Sequence, residues 1–168
     1  KLNLNAGPEL ILRNVSKTFP VRQGELNALK DISFDLREGE FVCLVGPSGC
    51  GKSTLLNLIA GLEKPDTGEI ILDGKPVTGP GADSVVVFQD GALFPWMSVL
   101  GNVEYGLKIR GTPQAECTEA AMDVLRLVHL DKFAHSFIHE LSGGMRQRVA
   151  IARALVLEPR LLLMAEPF

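Results

Sequence analysis

Nine consecutive residues constrain this chain more than any others: Gly46-Pro47-Ser48-Gly49-Cys50-Gly51-Lys52-Ser53-Thr54. They fit G-x-x-x-x-G-K-[ST], the spacing of a loop that wraps the phosphates of a nucleoside triphosphate between a strand and a helix. The flanks read that way. Phe41-Val42-Cys43-Leu44-Val45 reads as a buried strand, and Ser53 to Ala60 as a helix closed by Gly61. Glycines let successive backbone N–H groups turn toward one oxyanion. The helix that follows adds its unpaired N–H groups and positive dipole end. Lys52 supplies a mobile charge for the β- and γ-phosphates, and the Ser53 hydroxyl is a ligand for Mg²⁺.

A second segment of the same character is Leu141-Ser142-Gly143-Gly144-Met145, which runs straight into a helical stretch. Ser142 and the two glycines make another anion-binding helix end with no bulky side chain in the way. The plainer alternative is a simple cap with a hinge.

The 168 residues are one domain's worth of chain, with 46% hydrophobic and 22% charged residues as in an ordinary soluble globular protein. Net charge is −3 and there is no basic block, so sequence-independent binding of nucleic acid is not expected. No apolar run approaches a membrane span, and the start, Lys1-Leu2-Asn3-Leu4-Asn5, has no signal-peptide core and no methionine, as in a processed or excerpted end. Cys43, Cys50 and Cys117 form no Cys-x-x-Cys pair, which fits a reducing, cytosolic compartment. Cys50 lies inside the phosphate loop, where inward N–H groups favour a thiolate; the blander reading is a small loop residue. His129, His135 and His139 have no cysteine or carboxylate cluster at metal-ligand spacing and read as surface or core residues.

Along the chain, Leu10–Val15 and Ile32–Leu36 show strand spacing, in what reads as a mostly antiparallel layer. Arg37 to Glu40 is a turn, as is Pro65-Asp66-Thr67-Gly68. Glu69 to Leu72 is a strand followed by the hairpin signal Asp73-Gly74. Ser84 to Phe88 reads as a buried strand ending at Gln89. Helix dominates from Val99 to Glu140, with Thr112-Pro113 as cap and first turn and Cys117, Ala121, Val124 and Val128 on one face. In the last helix Met145, Val149, Ala152 and Val156 share a side, with Arg146, Arg148 and Arg153 off it. Leu161 to Met164 is a short strand expected to be buried on both faces, as in a parallel sheet.

In this order the segments resemble the ATP-binding subunits of ABC transporters, over essentially the whole chain. The resemblance implies a P-loop NTPase α/β core with a mainly parallel sheet, an N-terminal antiparallel β layer and an inserted helical subdomain. The core would span 1–97 and 141–168 and the subdomain 98–140. Gln89 is similar to the family's Q-loop glutamine, which touches the metal. Leu141 to Arg148 is similar to its signature motif, and Leu161 to Glu166 to its acidic strand end. Phe19, in Lys17-Thr18-Phe19, stands where the family stacks an aromatic ring on adenine.

The resemblance further implies ATP and Mg²⁺ as ligands and a head-to-tail pair of subunits. Each ATP would lie between Gly46–Thr54 of one subunit and Ser142, Gly143 and Gly144 of the other. The partners would be a second ATP-binding subunit, integral membrane permease subunits and, indirectly, a solute-binding protein. The place would be the cytoplasmic face of the membrane. Met145 and the run Asp90-Gly91-Ala92-Leu93-Phe94-Pro95-Trp96-Met97-Ser98-Val99 resemble the branch importing nitrate, sulfonates, taurine and similar small anions. Phe94, Pro95 and Trp96 would meet a helix of the membrane subunit, or else cover the local helical core. The rival functions are a soluble ABC-type ATPase of DNA repair or translation, and a regulatory module that binds nucleotide without hydrolysing it.

One departure stands out. Where the family has aspartate then glutamate at the acidic strand end, this chain reads Ala165-Glu166. Ala165 offers no oxygen to the metal shell, whereas Glu166 matches the general base that orients the attacking water. The chain reaches Phe168, so the family's following aspartate loop and switch histidine are not within it. The expectations are nucleotide binding with very slow hydrolysis, and apolar surface left uncovered.

Overall fold

Leu10, Leu12 and Val15 put apolar side chains on one face of a strand, β1 (Leu10–Val21), and all three are buried. β1 pairs antiparallel with β2 (Gly24–Leu36) on one edge and with β3 (Thr67–Leu72) on the other. A short β4 (Lys75–Pro76) folds back on β3, so the sheet runs β2-β1-β3-β4. Leu10 stands opposite Leu72 and Leu12 opposite Ile70, two buried cross-strand pairs. Each such side chain contributes roughly 1.5–3 kcal/mol of burial. The Asp73-Gly74 hairpin has positive φ at both residues, 49° and 74°, as a two-residue primed turn requires. These coordinates come from a computed structural model that describes residues 9–22, 24–81, 83–88 and 92–165. The chain divides into two compact units, Lys1–Gly81 and Ala82–Phe168.

Both long strands extend beyond the segments their apolar spacing marks. The β1–β2 ladder continues to Val21 opposite Gly24, through register shifts at Leu12/Val15, Val15/Lys17 and Lys17/Thr18. Each shift breaks the two-residue alternation from which a strand is read, while the hydrogen-bonded ladder carries on.

The expected strand Phe41–Val45 is a correction. These residues have no strand conformation, and Phe41 and Val45 are 80% and 91% exposed. An apolar run becomes a strand only where a neighbouring edge satisfies its N–H and C=O groups. Among the described residues no strand pairs with it. The helix after the phosphate loop forms as expected, as α1 (Lys52–Ile59), with Leu55, Leu58 and Ile59 buried.

The second unit holds β5 (Ser84–Val87), three helices and β6 (Leu161–Met164). The helices are α2 (Val99–Ile109), α3 (Gln114–Leu127) and α4 (Gly143–Leu155). Val99 and Val103 of α2, Ala121 and Leu125 of α3, and Val149 and Ala152 of α4 meet in one core with Leu130, Ile138 and Leu141. β5 and β6 pair in parallel from Ser84↔Leu161 to Val87↔Met164. Ala150 and Ala154 of α4 pack on Val87, with Leu162 and Met164 beside them. β6 is accordingly buried at Leu161 and Leu163 and only partly buried at Leu162 and Met164, not closed on both faces. Two details of α3 also differ from expectation. Pro113 is itself the N-cap, so Thr112 lies outside the helix. The fully buried stripe is Cys117, Ala121 and Leu125, with Val124 and Val128 at its rim, because the i, i+4 repeat carries through Leu125.

A buried carboxylate ties α2 to α3. Glu104, 3% exposed, accepts hydrogen bonds from Thr118 Oγ1 (2.6 Å) and Gln114 Nε2 (3.3 Å) and pairs with Lys108 Nζ at 2.6 Å. Burial pushes its carboxyl up; the hydrogen bonds from Lys108, Thr118 and Gln114, with the Lys108 charge, outweigh that and leave it below its ordinary value. A depressed folded pKa contributes stability that is present above the unfolded pKa and lost as pH falls through the folded one. Lys108→Met should therefore cost about 1–2 kcal/mol at neutral pH, between an exposed pair and a fully buried one. In acid the variant and the parent should converge. Urea unfolding of both across that range checks it, and a cost independent of pH would count against the ion pair.

Candidate functional site

The phosphate loop closes on its own lysine. Lys52 Nζ donates to the carbonyl oxygens of Gly46 (2.8 Å) and Pro47 (2.9 Å) and lies 3.7 Å from Cys50 Sγ. Cys50 N donates to Pro47 O at 3.4 Å, completing a tight turn around the ammonium. Gly51 caps α1 at φ 96°, a left-handed conformation that strains other residues. A Cβ there would also stand 2.5 Å from Ala28 O and 2.9 Å from Leu29 Cδ2 of β2, so the loop is pressed against the antiparallel sheet where only glycine fits.

Leu55 N is the first amide of this helix to bond backward, to Gly51 O at 2.9 Å. The N–H groups of Lys52, Ser53 and Thr54 thus have no intrahelical acceptor. Amides, a helix N-terminus and an ammonium converge on one spot, a donor set that suits a polyphosphate. Exposed Ser53, on the first turn, is the described residue suited to Mg²⁺, which takes few protein ligands and completes its shell with phosphate oxygens and water. Cys50 is exposed, with its sulfur on the inner side of the curl, where a Cβ on Gly46 would come within 2.7 Å of it.

In the second unit Ser142 is the N-cap of α4, its Oγ accepting from Met145 N at 3.3 Å. Ser142, Gly143 and Gly144 are exposed. A Cβ on Gly144 would meet nothing within 4 Å, and one on Gly143 only the tip of Arg146 at 4.0 Å. Neither glycine has a positive φ. Glycine inside a helix costs about 1 kcal/mol relative to alanine. Among the described residues nothing requires these two, and the space beside them is open.

β5 and β6 end together. Val87 pairs with Met164, and Ala165 N donates to Val87 O at 3.0 Å. The carboxyl ends of adjacent parallel strands are where α/β sheets bind ligands. Gln89 and Glu166, which follow these ends in sequence, lie outside the described residues. Ala165 presents a methyl group there. Phe19 is half-buried on β1, opposite Leu26, with Lys17 Nζ 5.3 Å from its ring centroid. The two units each carry part of the expected site: Phe19 and Gly46–Thr54 in the first, Ser142, Gly143 and Gly144 in the second.

Two residues that shape this unit were not singled out from sequence. Asn102, fully buried on α2, accepts from Phe94 N (2.8 Å) and donates to Phe94 O (3.1 Å) and Ser98 O (3.0 Å), tying down the loop before its own helix. Its signal was present: a polar residue three positions after Val99 on an apolar helix face. Arg153, read only as lying off the apolar stripe of α4, donates to Ala92 O (2.8 Å) with its guanidinium 5.6 Å from the Phe94 ring centroid. Phe94 also packs on Tyr105 and Trp96, at 4.6 and 5.5 Å, and Trp96 is 70% exposed. Phe94 thus belongs to the helical core while Trp96 faces outward. Among the described residues no helix is long and apolar enough to cross a membrane, and no group of three or more His, Cys, Asp or Glu is placed to hold a metal ion.

A glycine loop closed on a lysine at a helix N-terminus defines the class of P-loop nucleotide-binding proteins. The family model described as ABC transporter matches residues 29–168, and the chain belongs to that family. It is 52% identical over 159 residues to the nitrate import ATP-binding protein NrtD of Synechocystis sp., covering 95% of this chain and 60% of that one. It is 50% identical over 154 residues to the taurine import ATP-binding protein TauB of Pseudomonas aeruginosa, covering 92% and 59%. The chain therefore spans about 60% of the length of these curated relatives. Among solved structures it resembles the dimeric ATP-binding cassette MJ0796 in a post-hydrolysis state bound to ADP and Pi. That likeness has TM-score 0.84 and 37% identity, covering 94% of this chain and 74% of the other. The P-loop α/β fold expected from sequence is thereby established.

Proposed function

We propose that this chain is the ATP-binding and hydrolysing motor subunit of an ABC importer for a small anion such as nitrate, a sulfonate or taurine. The carrying observation is the Gly46–Thr54 loop with its lysine held at the start of α1. The relatives named for nitrate and taurine import support the substrate class. The dimeric, ADP-bound cassette supports assembly as a pair. In this reading 1–97 and 141–168 form the nucleotide-binding core and 98–140 the helical subdomain.

The chemistry follows from the site. Lys52 exchanges a loop carbonyl for β- and γ-phosphate oxygens, and the N–H groups of Lys52, Ser53 and Thr54 hold the rest. Bound Mg²⁺ would neutralise charge on those oxygens, held by Ser53 and Gln89. Phe19 stacks on adenine, and Glu166 orients the attacking water. Ser142, Gly143 and Gly144 of a second subunit close over the γ-phosphate, which accounts for two glycines that no described residue of their own chain requires. Exposed Trp96 meets a helix of the membrane permease subunits, to which a solute-binding protein delivers the anion. The subunit works peripherally at the cytoplasmic face.

Ala165 favours a second reading, a module that binds ATP and hydrolyses it very slowly. Affinity purification from detergent-solubilised membranes separates the importer from a soluble ATPase acting on nucleic acid. The expected result is recovery of an integral membrane subunit in stoichiometric amount. Recovery of nucleic acid in its place would overturn the importer reading.

A further inference from the structure

Lys17 lies on a strand that faces solvent in places, yet its side chain is only 13% exposed. Its ammonium donates to Lys64 O (2.8 Å) and the Asp66 carboxylate (3.3 Å), with Glu63 at 3.6 Å. Asp66 is held in turn: its carboxylate accepts from Thr18 N at 2.7 Å and its own N–H donates to Ser16 O at 2.9 Å. The Thr18 N–H first, then Lys17, keeps the Asp66 carboxyl below the usual range against the opposing effect of burial. The turn between α1 and β3 is thus strapped to three successive residues of β1. Immobilising a lysine is entropically unfavourable, and here the strap fixes it against one further neighbour, the Phe19 ring.

The position of that ring is informative. Phe19 pairs with Leu26, and two residues on, Ala28 O touches the space beside Gly51 at the phosphate-loop end of α1. With about 3.3 Å per residue along a strand and about 4.8 Å between strands, Phe19 lies on the order of 8 Å from Ala28. The Phe19 backbone is therefore within about a nucleoside's length of the phosphate-loop end of α1.

We propose that Lys17 is a positioning residue for the nucleobase: clamped by residues 63–66, its ammonium covers one face of Phe19, so that the ring turns its other face to the base of a bound nucleotide. This rests on the ATP-site reading given above. A cation within about 6 Å of a ring centroid is attracted to the ring face and resists its rotation. Bases stack on aromatic faces through their π-surfaces, and a ring held in one orientation spends less entropy in doing so. Lys17 also ties the turn after α1, at the end away from the phosphate loop, to the strand that carries Phe19.

The test uses the 168-residue chain and two probes, ATP and inorganic tripolyphosphate, with affinities measured by calorimetry. The quantity read is the ratio of the two affinities, which isolates the nucleoside's contribution. Lys17→Met should lower that ratio about two- to fivefold while leaving tripolyphosphate affinity unchanged. Lys17→Arg should retain the parental ratio, because arginine both pairs and stacks. Phe19→Ala should remove the preference for ATP. A parental ratio in Lys17→Met, with Phe19→Ala losing it, would overturn the proposal. So would a parallel loss of both probes, which is the mark of a merely structural strap. A parent chain that binds tripolyphosphate as tightly as ATP would keep the phosphate loop and overturn the base platform. One that binds neither probe would overturn the ATP-site reading and this inference with it.

Discussion

Ala165→Asp, made in a chain extended to the full length of the curated relatives, should raise ATP turnover by about two to three orders of magnitude, measured as phosphate release at saturating ATP and Mg²⁺. The reason is local. Ala165 is hydrogen-bonded through its N–H to Val87 at the shared end of β5 and β6, so its backbone is placed whatever side chain it carries. In the proposed function, a methyl group there would give the water shell of a bound metal nothing to bond to. An aspartate carboxylate would hold that shell and, through it, the β- and γ-phosphate oxygens as charge develops. One positioned group of this kind is worth ~3–4 kcal/mol of transition-state stabilisation. ATP affinity should change much less, because the loop amides and Lys52 act on ground state and transition state alike. Turnover that rises less than about tenfold would assign the slow step elsewhere. Ordinary transporter-like turnover by the unsubstituted chain would refute the expectation of impaired hydrolysis directly.

The second large effect concerns Lys52. Lys52→Met should weaken binding of ATP by at least about thirtyfold, since truncating one partner of a desolvated charge pair costs roughly 2–5 kcal/mol. Its ammonium is the one described side-chain charge enclosed by the loop, and its bonds to Gly46 O and Pro47 O hold the turn in shape. Stability should fall only slightly, because those carbonyls border an exposed loop that water can reach. Calorimetry with ATP, beside thermal melting, separates loss of the site from loss of the fold. Undiminished ATP affinity would remove the basis for the proposed function.

Both of these cases could be read from the order of residues. The phosphate loop, α1, the Asp73-Gly74 turn and the Ser142 cap were legible because each is made by a few neighbouring residues. Glycine spacing permits the loop, a hydroxyl caps its own helix, and two residues of positive φ turn a hairpin. The departure at Ala165 was equally plain, being a missing carboxylate in a short run. The Phe41–Val45 reading failed because a strand is a property of two edges, and apolar composition describes only one. The Glu104 cluster and the Asn102 and Arg153 tethers to the loop after residue 91 escaped notice for a related reason. Their partners come from other turns and helices, and a lone polar residue in a helical pattern does not announce them.

What the order of residues determined alone was the chemistry available: amides and an ammonium for phosphates, a serine-glycine helix start, and a strand end short of one carboxylate. What only the folded chain decided was placement. Register shifts carried β1 on to Phe19, the 63–66 turn laid Lys17 against that ring, and Gly51 met Ala28 of β2 so closely that no Cβ fits. Local backbone preferences act over a few residues and can be read in order. Contacts between distant segments depend on which of many possible partners packing brings within a few ångströms, and that is settled only when the whole chain has folded.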